Sequence, residues 1–294
     1  MIDINTNLVE KLIKEQFPQW ANLPIKPVAK SGHDNRTFHV GDEMTVRLPS
    51  GEDYVAQVEK ELMWLPKLKP CLSLPISSPI AKGEPSVDYP FPWSVNRWID
   101  GDTASHSNIS DVNKFACDLA LFLKELQTID TTDAPLAGKH NFYRGGDLFV
   151  YHDETEKAFE KLKDELLTDT LKAVWEQGIQ SKWTSKNVWI HGDVAPGNLL
   201  VKNGALCAVI DFGIMGVGDP SCDYAMAWTF FDKDTRNVFF QTLGTDKGTI
   251  DRARGWALWK ALITYHDENV EVAANAKYTI GEILDEMNTP DIAS

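Results

Sequence analysis

An aspartate and an asparagine stand five positions apart in the segment His191-Gly192-Asp193-Val194-Ala195-Pro196-Gly197-Asn198. A second aspartate, Asp211, follows the next apolar run, in Val209-Ile210-Asp211-Phe212-Gly213. This order and spacing set out a proton acceptor and two oxygen ligands for a magnesium-bound nucleotide. Moving a terminal phosphoryl group asks a protein for positioning and charge neutralisation more than for covalent chemistry. Asp193 can accept the proton of an attacking hydroxyl and align it with phosphorus. Asn198 offers a carbonyl oxygen and Asp211 a carboxylate, both hard donors suited to Mg²⁺.

Neither fragment is specific alone, because His-Gly-Asp and Asp-Phe-Gly each occur in ordinary turns. Their order, their separation and an apolar run beside each raise the specificity. Val188-Trp189-Ile190, Asn198 to Val201 and Leu206 to Ile210 read as short buried strands that hold the loop from both sides. Gly192 and Gly197 are expected to let the chain turn sharply there, and Pro196 to stiffen it.

These residues, with Gly218-Asp219-Pro220 and Asp223 beyond them, resemble the aminoglycoside phosphotransferase family, a kinase-like group that includes aminoglycoside and macrolide kinases. The resemblance extends through Ser31-Gly32-His33-Asp34-Asn35, Val46-Arg47-Leu48-Pro49, Lys60-Glu61 and Arg97-Trp98-Ile99-Asp100-Gly101. It implies an α+β, bilobal, protein-kinase-like fold. Residues 1–100 would form a small antiparallel-sheet N-lobe that covers the nucleotide, and 101–294 a larger, mainly helical C-lobe. It also implies Asp193 as the catalytic base, Asn198 and Asp211 as ligands of Mg²⁺, His191 as an organiser of the loop, and ATP or GTP as phosphate donor. Arg47 stands where the family usually has a nucleotide-binding lysine, and Glu61 fits the acidic residue that pairs with it. Ser31 and Gly32 would cover phosphates through backbone N–H groups. Arg97, Trp98 and Ile99 would line the base pocket at the hinge. An Asp at position 219 would bond back to the catalytic loop as well as cap a helix running to Phe231. Ala195 departs from the His-Pro-Gly-Asn common in the family.

The elements that must position these residues are legible as patterns. Leu8 to Phe17 is an amphipathic helix ended by Pro18. Strand-like runs follow at Ile25 to Lys30, Arg36 to Val40 and Met44 to Leu48, the last two joined by a Gly41-Asp42 hairpin. Tyr54 to Leu68 has helical spacing, with Glu59 and Glu61 off the apolar stripe. Prolines break the chain between Pro70 and Pro92 around a strand at Ser78 to Lys82. A strand at Trp93 to Ile99 leads into a hinge at Asp100-Gly101-Asp102. Helices are expected at Ser110 to Ile129, at Asp153 to Gln177 as one long element, and through most of Thr249 to Glu286. Arg144-Gly145-Gly146-Asp147 lies in a loop and reads as a structural turn that could also touch substrate or phosphate.

At 294 residues, with 43% hydrophobic and 24% charged, the chain reads as globular. Its start lacks the features of a secretory leader and no apolar stretch is long enough to span a bilayer. Cytoplasmic location and the absence of a membrane partner are therefore the expectation. The four cysteines show no Cys-x-x-Cys spacing and read as small buried residues. A net charge of −14 argues against binding nucleic acid through its phosphates. Residues 101–294 hold 18 Lys and Arg against 30 Asp and Glu. That surplus fits either a cleft attracting a cationic acceptor or an ordinary acidic surface. The acidic cluster Asp267, Glu268 and Glu271 carries the same two readings.

The reading that results is a small-molecule kinase acting on a hydroxyl of an aminoglycoside-like acceptor. Another small alcohol (a macrolide, a choline-like compound or a sugar metabolite) and a nucleotide-binding pseudokinase are the alternatives. A protein kinase is disfavoured, because few residues separate Asp211-Phe212-Gly213 from Asp219-Pro220 and leave little room for a peptide-docking activation loop.

Overall fold

The computed structural model describes residues 3–29 and 34–288. The chain divides into two compact units, Met1–Asp102 with Cys207–Gly213, and Thr103–Leu206 with Ile214–Ser294. The segment bearing Asp211 thus belongs with the sheet of the first unit, although it lies more than a hundred residues further along the chain.

In the first unit α1 (Thr6–Gln16) is capped by the Asn5 side chain, which accepts from Leu8 N–H. Strands β1 (Ile25–Pro27), β2 (Asn35–Val40) and β3 (Met44–Pro49) follow, then α2 (Val55–Leu68), β4 (Pro79–Gly83) and β5 (Trp93–Arg97). They form an antiparallel five-stranded sheet in the order β1-β2-β3-β5-β4. Gly41, at φ 61°, makes the β2–β3 hairpin turn. Alternation along β3 sends Val46 and Leu48 into a core with Phe38, Trp93 and the apolar stripe Val9, Leu12 and Ile13 of α1. Arg47, between them, is left on the opposite face. β5 ends at Arg97, two residues short of the expected strand, and β1 ends at Pro27, short of its expected run.

The second unit begins within the short strand β6 (Asp102–Thr103) and continues through α3 (Val112–Thr128), α4 (His152–Leu162) and α5 (Thr168–Gln180). Next come β7 (Val188–Ile190), β8 (Leu199–Lys202), β9 (Ala205–Val209), which passes into the first unit at Cys207, and β10 (Gly216–Gly218). Helices α6 (Met226–Thr229), α7 (Lys233–Leu243), α8 (Lys247–Ile263) and α9 (Val270–Asn288) complete it. The expected helix from Asp153 to Gln177 is instead the pair α4 and α5. Leu162 and Leu171, both buried, would face about half a turn apart on one continuous helix. The break at 163–167 lets both apolar stripes turn inward. Trp256, Leu258, Trp259 and Leu262 of α8 are buried as their spacing implies. Among the described residues no helix is long and apolar enough to cross a membrane.

Candidate active site

The loop after β7 is organised from its backbone outward. β7 pairs antiparallel with β10, bringing Ile190 opposite Gly216. Gly192 turns the chain at φ 87°, where an added Cβ would stand 2.6 Å from the Ile214 carbonyl oxygen. The residue must be glycine on both counts. Gly197 differs from expectation: its φ is not left-handed and a Cβ there would meet nothing within 4 Å. The second bend comes from the short 3-10 turn Pro196–Asn198 instead.

Asp223 is fully buried and accepts the His191 and Gly192 N–H groups, both at 2.7 Å, one on each carboxylate oxygen. Burial pushes its carboxyl up from the ordinary range, while His191 and the two N–H groups pull the other way. Asp223 therefore does what the resemblance placed at position 219. Asp219 caps the 3-10 turn Pro220–Tyr224, accepting from Ser221 N–H at 3.1 Å. Its other partner is Arg252, whose Nε donates to Oδ2 at 2.6 Å. The helix expected to run from Asp219 to Phe231 is this turn followed by α6. The signal that could have revealed Asp223 is its carboxylate four residues beyond an Asp-Pro cap, where a chain leaving β10 turns back along β7.

Asp193 stands exposed at the tip of this loop. Its N–H donates to His191 Nδ1 at 3.1 Å, so the buried imidazole accepts through Nδ1. Asn198 Nδ2 donates to both the carbonyl oxygen and Oδ2 of Asp193, each at 2.9 Å. These two bonds settle which end of the Asn198 amide is which. The nitrogen is committed to Asp193, and the carbonyl oxygen points away from it as an acceptor.

In the first unit Arg47, Glu61 and Asp211 come together. Arg47 Nη1 donates to both Glu61 oxygens at 3.0 and 3.2 Å, and Nη2 to Asp211 Oδ1 at 2.7 Å. Burial opposes the charge on Arg47, but the two carboxylates outweigh it and move its pKa further up. Burial pushes the Glu61 carboxyl up against the pull of Arg47. Glu61, and not the exposed Glu59 that pairs with Lys82 at 2.7 Å, is thus the helix carboxylate that meets Arg47. Asp211 itself is held at φ 65°, a left-handed conformation uncommon outside glycine. The run before it is fixed by Val209 N–H donating to the Pro75 carbonyl at 3.0 Å.

Of the expected base-pocket residues, Arg97 is exposed at the end of β5, 4.0 Å from Glu43. Trp98 commits its N–H to the Glu43 carbonyl at 2.8 Å and its ring edge to His39 at a centroid distance of 4.5 Å. Ile99 is partly buried beside them. Ser31 and Gly32 lie outside the described residues. Asp267, Glu268 and Glu271 are all exposed, and Asp267 accepts from Asn269 N–H at 2.9 Å in the turn before α9.

The donors suit magnesium. Asp211 in the first unit carries a carboxylate and Asn198 in the second an oriented carbonyl oxygen, each the kind of hard donor this ion would take along with phosphates and water. Among the described residues no cluster of three His, Cys, Asp or Glu side chains forms a metal site of its own.

A carboxylate presented on a pinned loop in one unit, and an Arg–Glu–Asp constellation under a five-stranded sheet in the other, define a kinase-like phosphotransferase class. The model of the phosphotransferase enzyme family matches residues 25–262. The chain belongs to that family and is a phosphotransferase. The GDP complex of wild-type aminoglycoside 2'-phosphotransferase-IIIa is 17% identical, covers 96% of this chain and 100% of its own, and superposes with a TM-score of 0.72. The streptomycin–ATP ternary complex of APH(2")-IIa is 20% identical over 97% of each chain, with a TM-score of 0.61. The macrolide 2'-phosphotransferase MphH from Brachybacterium faecium is 16% identical over 98% of this chain and 99% of its own, with a TM-score of 0.62. At such identities these likenesses establish the α+β, two-lobed kinase-like fold. No curated protein matches the chain.

Proposed function

We propose that the chain transfers the γ-phosphate of ATP or GTP to a hydroxyl of a small, aminoglycoside-like acceptor. The observation that carries this reading is Asp193, an exposed carboxylate whose backbone and side chain are pinned by His191 and Asn198, on a loop that Asp223 in turn holds. A general base must be presented to substrate and held still, and this one is. Asp193 accepts the hydroxyl proton. Asn198 and Asp211 are the oxygen donors for Mg²⁺, which when bound neutralises charge on the phosphates. Arg47, steadied by Glu61, directs guanidinium donors to phosphate oxygens. Because the Trp98 N–H is already engaged, Ile99 is the hinge residue assigned to the base.

The acid surplus of residues 101–294 favours a cationic acceptor, in keeping with the gentamicin and streptomycin complexes among the structural neighbours. The macrolide neighbour makes a macrolide the second acceptor class. A nucleoside triphosphate donor supports a cytoplasmic location, where antibiotic resistance is a role consistent with such acceptors.

The deciding experiment is a coupled nucleotide-consumption assay with ATP and with GTP, run against aminoglycosides, macrolides, choline-like alcohols and sugars. Transfer to one hydroxylated class, abolished by Asp193→Ala, supports the reading. Mg²⁺-dependent nucleotide binding with no transfer to any compound favours a pseudokinase, and transfer only to protein overturns the small-molecule assignment.

A further inference from the structure

We propose that Arg47 sets the divalent-ion requirement of nucleotide binding by competing with the cation for Asp211. This rests on Asp211 being a magnesium ligand.

The competition follows from the planar shape of the guanidinium. One arm of Arg47 spans both oxygens of Glu61 and the other reaches Asp211 Oδ1 at 2.7 Å. Glu61 is 5% exposed and Arg47 13% exposed, so neither can exchange its partner for bulk water without leaving a buried charge unmet. Glu61 and Asp211 therefore share one guanidinium, and each takes a part of its charge. A lysine ammonium is a point charge on a flexible stem and has no rigid second arm to hold both carboxylates in one plane. The rigid form of the tie to Asp211 is thus a consequence of arginine at this position, and an ammonium would hold the two acids more loosely.

The backbone holds Asp211 where the tie forms. Its backbone sits in the left-handed region at φ 65°, and the segment is tethered through Val209 to Pro75. Two residues on, a Cβ at Gly213 would stand 2.6 Å from Gln57 Oε1. A magnesium ion binds a carboxylate oxygen at about 2.0–2.1 Å. On the Asp211 carboxylate it would stand close to the guanidinium, like charge against like. A cation on Asp211 is therefore disfavoured by the neighbouring guanidinium for as long as the Nη2 arm holds Oδ1. A nucleotide arriving with its ion offers that arm phosphate oxygens in exchange, so ion and nucleotide are favoured together over the ion alone.

Arg47→Lys and Glu61→Gln are expected to act in opposite directions. Removing the rigid arm should lower the free Mg²⁺ concentration at half-maximal nucleotide binding by about tenfold, the scale of one charge-assisted hydrogen bond. Glu61→Gln removes the carboxylate that shares the guanidinium and leaves its charge to Asp211, so that concentration should rise. Calorimetric nucleotide titrations across a range of free Mg²⁺ read both changes. Electron paramagnetic resonance of Mn²⁺ without nucleotide provides a readout independent of phosphate contacts, and Arg47→Lys should tighten Mn²⁺ about tenfold.

An unchanged or raised Mg²⁺ midpoint with unchanged Mn²⁺ affinity in Arg47→Lys overturns the competition while leaving the kinase reading intact. If that variant does not fold, a lowered or unchanged midpoint in Glu61→Gln overturns it equally. Wild-type protein that binds nucleotide without any Mg²⁺ dependence removes both this inference and the ligand role beneath it.

Discussion

Replacing Asp223 by asparagine tests whether the catalytic loop is held by one buried carboxylate. In the native protein its two oxygens each accept one backbone N–H, from His191 and Gly192, at 2.7 Å and with no exposure to water. An asparagine can match one N–H with its oxygen but turns an NH₂ group toward the other. One charge-assisted bond is weakened and the second becomes a donor facing a donor. Hydrogen bonds to charged groups contribute roughly 1.5–3 kcal/mol, and a buried unmet donor costs about 1–3 kcal/mol. Burial raises the Asp223 pKa, which means that ionising it in place carries its own penalty and offsets part of that loss. A net destabilisation of about 3 kcal/mol follows, or roughly 6–12 °C in Tm for a unit of this size. Turnover should fall by about 10² because Asp193, two residues from His191, loses its placement. Nucleotide affinity should change much less, since Arg47, Glu61 and Asp211 make none of their mutual bonds through this carboxylate. Thermal unfolding with steady-state kinetics, separating kcat from nucleotide KM, reads both effects. Near-native Tm and kcat in Asp223→Asn would refute the reasoning, and a fall confined to nucleotide affinity would place the residue's role elsewhere.

Asp193→Asn and Asp193→Ala should lower kcat by about 10² or more, the scale for losing a general base, while calorimetry finds nucleotide binding largely retained. Asp211→Ala should abolish the Mg²⁺ dependence of nucleotide affinity, so titrations with and without Mg²⁺ should then coincide. Gly192→Ala, forced to φ 87° with its Cβ 2.6 Å from the Ile214 oxygen, should cost about 1–3 kcal/mol in denaturant unfolding. Gly197→Ala, with open space around it, should be within about 0.5 kcal/mol of wild type. The Lys60 ammonium is pushed down to about 8 by burial. Its folded pKa lies below its unfolded one, so the folded state bears the full penalty of the charge below pH 8 and sheds it as pH rises toward 10.5. Lys60→Met should therefore raise Tm at pH 7, with a gain that shrinks through that window; a gain independent of pH would show that burial of the charge is not its cause.

The residue types and spacing of Asp193, Asn198 and Asp211 were legible in the chain because side-chain chemistry and loop length are both written locally. The same holds for α1, α2 and α3, whose apolar stripes follow the helical period, and for the β2–β3 hairpin with its glycine. Where the pattern failed, a longer-range fact had decided. The stripe from Asp153 to Gln177 looks continuous, yet its two halves face the interior only when the helix breaks at 163–167. Two carboxylates, Asp219 and Asp223, sat four residues apart with similar local claims on the loop. Their roles were allotted by what lies opposite each, Arg252 of α8 for the first and the amides after β7 for the second.

By itself, the sequence determined the chemistry that is possible: hard oxygen donors, a carboxylate base, a guanidinium able to hold two acids, and the glycine at 192. Only the tertiary structure decided which acids that guanidinium holds, and that Asp211 packs with a sheet whose strands end more than a hundred residues earlier. The physical reason is that side-chain identity and backbone propensity act over a few residues. Pairings between buried charges are selected by whichever partners the folded core leaves within hydrogen-bond reach.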